Sequence, residues 1–429
     1  MTPLRILIPE GSSLSAREAV AALGATDCLI DILDPDPYCI CRFSRFVRKV
    51  YLSPRLSGAP REFESFLLSH VTNHTYDVIL PVHEHAFMLS AISDEIRKHC
   101  AVAVAPFEAF ERLQSKVQFF ELASALHIPH PPTQVVTSPA GFPLGKLMPY
   151  YVKTAFGTAG CGTWRVSSDA ERTKVLEALH VRQSAGNLGP FLVQDIVPGK
   201  LEVAQSVFQN GKLVAIHGYR QQIEGVGGSA SGRISVRRPE IVSVLRHLGK
   251  SLNWHGALML DYIFNDSTKK FWFIDPNPRL GETMNATLAG ANLSKVMICV
   301  SRGEMVKWTD TKDGIRSHIL LSALLAVAIE NPSRWAVLRE IIVAVRRADH
   351  YADSREEIAS IGKDFLSFLP TALVAFRLLA RPRAAQSITA HAIRNYALSE
   401  YAANAIETLR RSRYLTESES ALGNQGLAQ

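Results

Sequence analysis

Residues 256–279, with the sequence GALMLDYIFNDSTKKFWFIDPNPR, carry the pattern that decides how this chain folds. Two apolar runs separated by a polar turn predict a pair of adjacent strands. The first run contains Asp261, and the second is followed at alternate positions by Asp275, Asn277 and Arg279. Because alternate side chains of a strand share one face, these polar groups are expected to converge. Carboxylate and carboxamide oxygens beside a guanidinium predict a site for a hard cation with an anion next to it.

The surroundings of the two aspartates bear on this interpretation. A hairpin with one aspartate on each strand is often only a solvated face of a sheet. Here Asp261 lies among leucine, methionine, isoleucine and phenylalanine, and Asp275 follows Phe-Trp-Phe-Ile. Burying an unpaired polar group costs on the order of several kcal/mol, so such carboxylates are seldom left without a partner. The metal-site interpretation is therefore favoured.

Five segments, in the same order along the chain, resemble the ATP-grasp superfamily, in particular grasp domains of the carbamoyl-phosphate synthase and biotin carboxylase type. They are SKVQFFELASALHIPHPPT from Ser115, YVK with TAFGTAGCGTWRV from Tyr151, VQDIVPG from Val193, the acidic strand pair, and GETMNATLAGANLS from Gly281. The family usually has Glu-x-Asn-x-Arg on the second acidic strand, and this chain has Asp275 in place of the glutamate.

The resemblance implies an α/β chain with an ATP-grasp fold, an N-terminal Rossmann-like preceding domain and an appended C-terminal helical region. The expected divisions are 1–112 for the preceding domain, 113–195 for the lid-bearing subdomain, 196–310 for the subdomain with the metal strands, 311–415 for the helical appendage and 416–429 for a disordered tail. Alternating apolar runs and helix-like stretches independently favour a βαβ sheet in the first domain. Apolar residues at i, i+3 and i+4 predict helices in the appendage.

The resemblance also implies how ATP is held. Lys116 and Lys153 are expected to contact phosphate oxygens, beneath a glycine loop that offers backbone N–H groups. The other residues assigned to ATP are Gly157, Gly160, Gly162 and Thr163 in the loop, Gln194, Asp195 and Val197 in an adenine hinge, and Glu202 at the ribose. The residues alone leave alternatives open: the loop as a plain hairpin, the hinge as an ordinary buried strand, and Glu202 as a solvated strand residue.

Metal and substrate contacts are expected at the ends of strands. The expected ligands of Mg²⁺ or Mn²⁺ are Asp261, Asp275 and Asn277. Arg279 is expected to stabilise the charge that develops as an acyl phosphate forms and breaks down. The substrate candidates are Glu84, Arg220 and Arg233. Glu84 follows a strand of the first domain, where open α/β sheets bind ligands. For the two arginines, exposed loop residues are an equally good interpretation.

These roles predict an ATP-dependent carboxylate–amine ligase that forms an amide bond through an acyl phosphate and releases ADP and phosphate. ATP with Mg²⁺ or Mn²⁺ would be the cofactors, and a small carboxylate and a small amine the substrates. Two alternatives stay open. One is a non-catalytic ATP sensor or scaffold that acts through its helical tail, because the shorter Asp275 changes the metal geometry. The other is an ATP-grasp carboxylase or kinase-like variant.

The composition limits the class of protein. Of the 429 residues, 47% are apolar and 20% are charged, as in ordinary globular enzymes, and the net charge is +7. The basic residues are spread along the chain, with RFSRFVRK at 42–49 and arginine-rich patches after 330 as the only clusters, so no nucleic-acid partner is expected. Six cysteines without disulfide or metal spacing, and an N-terminus without a signal-peptide pattern, predict a cytoplasmic protein. A homodimer is plausible for such an enzyme.

One apolar run, residues 365–380, raises the question of a membrane. It contains Pro370 and Arg377. At about 16 residues it is shorter than the roughly 20 that span a bilayer. We expect it to pack on the grasp domain or on a partner subunit, and no membrane partner is expected. Peripheral association through an interfacial helix is the alternative.

Overall fold

The computed structural model describes residues 2–24, 26–157, 160–359, 362 and 364–426, with side chains up to residue 413. The described strands form three sheets that follow one another along the chain. The first is parallel, the second is small and antiparallel, and the third is large and mostly antiparallel. Helices pack on these sheets and continue into a helical C-terminal region. The predicted mixed α/β fold class is confirmed.

The N-terminal unit is the parallel sheet, with the strand order β3-β2-β1-β4. Its strands are β1 (Leu4–Ile8), β2 (Cys28–Asp34), β3 (Val47–Leu52) and β4 (Val78–Ile79). Its helices are α1 (Leu14–Leu23), α2 (Pro60–Asn73), α3 (His85–Ala91), α4 (Ser93–Ile96) and α5 (Phe107–Gln114). The Ser13 side chain accepts a hydrogen bond from the backbone N–H of Ala16 and so caps α1 just beyond β1. The apolar runs predicted as parallel strands thus place their carboxyl ends at one edge.

The small sheet carries the segment predicted to be the lid. It follows α6 (Lys116–Ala125), which Ser115 caps by accepting from the backbone N–H of Gln118. Its members are β5 (Thr133–Val136), β6 (Tyr150–Thr154), β7 (Thr163–Val166), α7 (Asp169–Ser184) and β8 (Phe191–Asp195). The strand order is β5-β8-β6-β7. A separate apolar cluster that includes Tyr150, Phe191 and Leu179 joins α7 to this sheet.

The large sheet supports the predicted metal strands and has the order β13-β12-β9-β10-β11-β14-β15. Its strands are β9 (Lys200–Gln209), β10 (Lys212–Glu224), β11 (Ala230–Ser235), β12 (Gly256–Phe264), β13 (Phe271–Asn277), β14 (Arg316–His318) and β15 (Arg355–Glu356). The helices between them include α8 (Pro239–Ser251), α9 (Met284–Leu288) and α10 (Leu293–Ser301). Apolar residues of α8 and of the β9 and β12 face beneath it join the N-terminal helices in one continuous core.

The C-terminal region returns to the N-terminal unit. Its helices are α11 (Leu320–Glu330), α12 (Arg334–Val345), α13 (Phe368–Ala380), α14 (Ala384–Tyr396) and α15 (Glu400–Gly426). Leu398, Ala402 and Ile406 lie in the same core as Phe63 and Phe87 of the N-terminal unit. Helix α15 extends to Gly426, and residues 427–429 lie outside the described part. The disorder expected from 416 stays a prediction.

The apolar run 365–380 packs on one side only. Leu378 and Val374 of α13 pack in a small core with Leu324 of α11, as expected for a helix that packs on the protein. Pro370 lies in the first turn of α13, where its missing N–H breaks no hydrogen bond. The outer face of the same helix stays exposed. Among the helices that the structure describes, none has the length and apolar content needed to cross a membrane.

Candidate active site

Two antiparallel strands at the edge of the large sheet bring the predicted metal residues together. Asp261 of β12 lies directly opposite Asp275 of β13, and Met259 lies opposite Asn277. Directly opposed residues project from the same face of a sheet, so both carboxylates and the carboxamide share it. Asn277 Nδ2 lies 3.5 Å from Asp261 Oδ1. Pro276 is tolerated within β13 because this strand forms the edge of the sheet.

The charges around Asp261 are suited to a cation. Burial and the neighbouring Asp275 carboxylate raise the pKa of Asp261 to about 7. The positive charges of Arg279, Lys153 and Lys116 act in the opposite direction. Within the described residues no three His, Cys, Asp or Glu side chains cluster as metal ligands, so a third protein ligand would be the nearby carboxamide. Two repelling carboxylates and an amide oxygen fit Mg²⁺ or Mn²⁺, which prefer oxygen ligands.

Both predicted phosphate-binding lysines reach the second metal strand. Lys116, at the start of α6, places its Nζ 3.0 Å from Asp275 Oδ1. Lys153, on β6, donates from its Nζ to the Ile274 carbonyl at 2.9 Å. Burial lowers the pKa of Lys153 to about 8, and Lys116 adds to this effect while the two aspartates oppose it. The two ammonium groups therefore lie between the lid-bearing sheet and the large sheet, close to both carboxylates.

The predicted lid loop is the hairpin connection between β6 and β7. Its four predicted residues are Gly157, Gly160, Gly162 and Thr163, and residues 158–159 between them lie outside the described part. Gly160 and Gly162 have positive φ angles of 76° and 80°. A Cβ on Gly162 would lie 2.1 Å from Thr154 Oγ1, and one on Gly160 would lie 2.7 Å from the carbonyl oxygen of Gly227. Glycine is therefore required where the hairpin folds back and where it touches the β10–β11 turn of the large sheet.

The predicted adenine hinge follows the end of β8. Gln194 is buried and donates to Thr133 Oγ1 at 2.9 Å, and the Asp195 carboxylate forms an ion pair with Lys146. The side chains of Gln194 and Asp195 are thus engaged within the small sheet. The backbone N–H of Val197 makes no hydrogen bond to the other described residues. That N–H is a candidate donor for a flat ligand just past the strand. The side-chain bonds of Gln194 and Asp195 do not involve their backbone groups, so the adenine contacts of Gln194, Asp195 and Val197 stay a prediction.

Glu202 lies on the opposite face of the large sheet. It pairs directly with Tyr262, whose side chain projects away from the face that carries Asp261. Its carboxylate accepts hydrogen bonds from Arg238 Nε at 2.9 Å, from Arg220 Nη2 at 2.6 Å and from the Tyr262 hydroxyl at 2.9 Å. Both carboxylate oxygens are satisfied, and Glu202 is fully buried. A contact with ribose is therefore not retained for Glu202, nor a substrate contact for Arg220.

Arg233 lies on the cleft face but is enclosed by carboxylates. It forms ion pairs with Glu18 of α1 and with Glu357, which follows β15, and it stacks over Tyr219. Only 2% of its side chain is exposed. Arg233 therefore ties three parts of the chain together, and the predicted direct contact with substrate is not retained. The nearby Glu282, 4.0 Å away and 23% exposed, is more accessible.

The predicted Arg279 and Glu84 meet at the other end of the metal strands. Arg279 Nη1 lies 3.0 Å from Glu84 Oε1, and Gln114 donates to the second oxygen of Glu84 at 3.0 Å. The sheet edge of the N-terminal unit is thereby joined to the acidic strand pair. Burial and the charge of Arg279 lower the pKa of the adjacent His83, so this imidazole is neutral.

Two further residues at this end were not predicted. The Tyr396 ring of α14 lies 4.5 Å from the His83 ring, with their planes at 61°. Glu282 accepts a hydrogen bond from Ser15 at 3.2 Å. Glu282 could have been noticed as a carboxylate three residues after Arg279. Tyr396 has no local signal, because only the packing of the helical region brings it there.

The cleft between the two sheets, the glycine hairpin above it and the acidic strand pair below it define an ATP-grasp fold, which confirms the resemblance seen in the sequence. Among solved structures, N5-carboxyaminoimidazole synthetase from Staphylococcus aureus complexed with ADP is similar with a TM-score of 0.57 and 14% identity, over 76% of this chain and 86% of that chain. The L-amino acid ligase from Bacillus licheniformis is similar with a TM-score of 0.57 and 11% identity, over 72% and 77%.

A third neighbour was solved with nucleotide and metal. It is the biotin carboxylase domain dimer of the Hydrogenobacter thermophilus 2-oxoglutarate carboxylase, in complex with MgADP, ADP and bicarbonate. The TM-score is 0.59 and the identity 13%, over 74% of each chain. At these identities the likeness establishes the fold.

The sequence comparisons are more limited. Acetyl-CoA carboxylase 1 from Arabidopsis thaliana is 28% identical over 167 residues, which are 36% of this chain and 7% of that protein. The match thus spans a small fraction of the relative. No family model matches the chain.

Proposed function

We propose that this protein is an ATP- and Mg²⁺-dependent carboxylate–amine ligase. It would form an amide bond through an acyl phosphate and release ADP and phosphate. The observation that carries this proposal is the meeting of Asp261 and Asp275 with the ammonium groups of Lys116 and Lys153 across one cleft. Opposite charges in this arrangement suit a polyphosphate chain with its metal ion.

The lysines would hold the phosphates of ATP. Lys116 Nζ is 3.0 Å from Asp275 and Lys153 Nζ is held by the Ile274 carbonyl, so both are positioned at the second metal strand. A phosphate chain entering the cleft would take over these donors, while Asp261 and Asp275 would hold the metal. The chemistry that Mg²⁺ supplies when it is bound is neutralisation of the phosphate charge. The glycine hairpin, already in contact with the large sheet at Gly227, would exclude water from the intermediate.

Arg279 is the candidate for stabilising the acyl phosphate. In the first step a carboxylate oxygen attacks the γ-phosphorus, the bond to the bridging oxygen of ADP breaks, and ADP leaves. In the second step the amine nitrogen attacks the acyl carbon, the carbon–oxygen bond breaks, phosphate leaves and the nitrogen loses a proton. Both steps develop negative charge on oxygen, which a guanidinium stabilises. Glu84 orients Arg279 through their 3.0 Å ion pair.

The neighbours support the chemistry without naming the substrates. A synthetase, a carboxylase domain and an amino acid ligase share this fold, and two of them were solved with ADP. The carboxylase domain contains bicarbonate and the ligase is named for amino acids, so both bicarbonate and amino acids belong in a substrate panel. Binding of ATP, use of Mg²⁺ and a homodimeric assembly are proposed for this chain on the same basis.

The test is carboxylate-dependent release of ADP. Purified protein with Mg²⁺ and ATP would be given a panel of carboxylates, bicarbonate included, with hydroxylamine to trap any acyl phosphate as a hydroxamate. A carboxylate labelled in its oxygens should transfer one labelled oxygen to the released phosphate. The Asp275→Asn variant serves as the inactive control, and Asp310→Asn, at an exposed ion pair with Arg237, serves as the matched active control.

One observation favours a second candidate, a protein that binds ATP without turnover. Asp275, which replaces the usual glutamate, already has the Lys116 ammonium at 3.0 Å. If nucleotide bound but did not displace this pair, the metal would lack its second carboxylate. Tight ATP binding with no labelled phosphate and no hydroxamate across the panel would overturn the ligase proposal in favour of this sensor.

A further inference from the structure

The outer face of helix α13 is apolar although it lies on the protein surface. Leu369, Leu373 and Phe376 are 41%, 54% and 75% exposed, and Phe365 just before the helix is 67% exposed. The opposite side of α13 is apolar too, because Leu378 packs against α11. A helix that is apolar on nearly every side, with Arg377 as its one charged residue, is normally covered on most of them. This outer face therefore calls for a covering partner.

A second apolar stripe lies on the neighbouring helix α12. Trp335, Ile342 and Val345 are 78%, 41% and 75% exposed, and their spacing places them on one side of α12. Arg334, at the start of α12, donates to the carbonyl of Ala380 at the end of α13 at 3.2 Å. The two helices are thus adjacent, with the start of one beside the end of the other. We refer to the exposed apolar residues of α12 and α13, with Phe365 and Leu366, as the α12–α13 face.

The segment that carries the α12–α13 face is strongly basic. Over the described residues from 330 to 383, the exposed basic residues are Arg334, Arg339, Arg346, Arg347, Arg355, Arg377, Arg381 and Arg383, and the exposed acidic residues are Glu330, Asp349 and Asp353. None of these eight arginines takes part in an ion pair within the described residues, although many arginines elsewhere do. A surface that combines exposed aromatic residues with unpaired arginines is complementary to an apolar layer lying beneath negative charge.

We propose that the α12–α13 face docks on the surface of an anionic phospholipid bilayer. Phe376, Leu373 and Trp335 would enter the boundary between headgroups and acyl chains, and the surrounding arginines would contact lipid phosphates. A second copy of this chain is a poorer occupant, because a symmetric contact would bring the same arginines together. The docking would place the cleft of the proposed ligase near a membrane.

The experiment is vesicle flotation of the full-length protein. With vesicles that mix phosphatidylglycerol and phosphatidylcholine, we expect the protein to float, and with pure phosphatidylcholine vesicles it should stay at the bottom. Raising the salt to about 0.5 M should release it, because the Debye length falls to a few ångströms. Trp335 fluorescence should shift to the blue on binding, and Trp335→Phe should remove that shift.

Two variants distinguish binding through the α12–α13 face from nonspecific binding of the protein to vesicles. Phe376→Glu should weaken binding to anionic vesicles by about tenfold or more. Val181→Glu, on the 70% exposed apolar residue of α7, makes the same charge change elsewhere and should leave binding unchanged. Equal binding of both variants, or no binding of the unmodified protein to anionic vesicles, would overturn the proposal. So would a dimer that Phe376→Glu splits while vesicle binding is absent, since the face would then belong to a second copy.

Discussion

On one face of the β9–β12 strand pair, Glu202 has a donor for both of its carboxylate oxygens, whereas on the other face Asp261 and Asp275 lie opposite each other. Asp261 and Tyr262 are adjacent in sequence but project to opposite faces. Asp261 faces the cleft, and Tyr262 contacts Glu202 on the other face. Glu202 is fully buried, whereas Asp261 and Asp275 are partly exposed to the cleft, and the supply of donors differs as well. A buried carboxylate whose two oxygens are both bound by donors stabilises the fold. Two opposed carboxylates with fewer donors, one ammonium at Asp275 and one distant amide at Asp261, keep oxygens that a cation can bind.

The largest expected effect is a loss of stability on the face that carries Glu202, whose carboxylate oxygens both have donors. Glu202→Gln removes the charge that Arg220, Arg238 and Tyr262 surround, and breaking a buried ion pair costs about 3–5 kcal/mol. We therefore expect a lower free energy of unfolding in urea, with near-normal turnover per folded molecule. Glu304→Gln, at an exposed ion pair with Arg302, is the control and should cost about 0–1 kcal/mol. A Glu202→Gln protein that is stable but has a raised KM for ATP would contradict this structural role and would support the predicted contact of Glu202 with the nucleotide.

On the cleft face we expect a substitution to lower turnover more than stability. Asp275→Asn removes one electrostatic contact of the reacting phosphates and should lower kcat by about 10²–10³-fold. It should destabilise the metal-free protein less than Glu202→Gln does, because loss of the Lys116 ion pair is offset by relief of the repulsion between Asp275 and Asp261. Steady-state ADP release and thermal unfolding without metal measure the two effects. A loss of stability as large as that of Glu202→Gln would show that the faces do not differ as described.

The glycine hairpin between β6 and β7 provides a separate test of whether ATP binds at the cleft face. Gly162→Ala introduces a side chain at a φ of 80°, 2.1 Å from Thr154 Oγ1, so the hairpin must open. We expect the KM for ATP to rise by roughly tenfold, since a left-handed conformation costs about 1–2 kcal/mol for an alanine. Gly303→Ala, also at positive φ but in open space, is the matched control and should leave the KM unchanged. Equal KM values in the two variants would argue against closure of this loop on ATP.

Glu10 provides a third kind of buried carboxylate, which remains protonated. Burial raises its pKa to about 8, against the hydrogen bonds from Ser13. The folded state therefore keeps a proton that the unfolded state loses above about pH 4.5, so the free energy of unfolding should fall as the pH rises toward 8. The slope should approach 1.4 kcal/mol per pH unit for this one group. Glu10→Gln should flatten the unfolding free energy between pH 6 and pH 8, and an unchanged slope would contradict the assignment.

The sequence predicted the parts of the site that depend on local rules. Alternation along β13 was enough to place Asp275 and Asn277 on one face, and the glycines of the predicted lid indicated a tight hairpin. The predicted role of Glu202 was wrong in orientation, because its face depends on the register between β9 and β12 rather than on its distance from the hinge. The position of Tyr396 could not be predicted from the sequence, since only tertiary packing brings it into contact with His83.

Helix α15 has a consequence for how the chain is made. Its residues Ala402 and Ile406 complete a core whose other members, such as Phe63 and Phe87, are synthesised more than 300 residues earlier. Contacts of such long range are slow to form, and domains that emerge first normally fold first. The core of the N-terminal unit therefore stays incomplete until α15 has been synthesised.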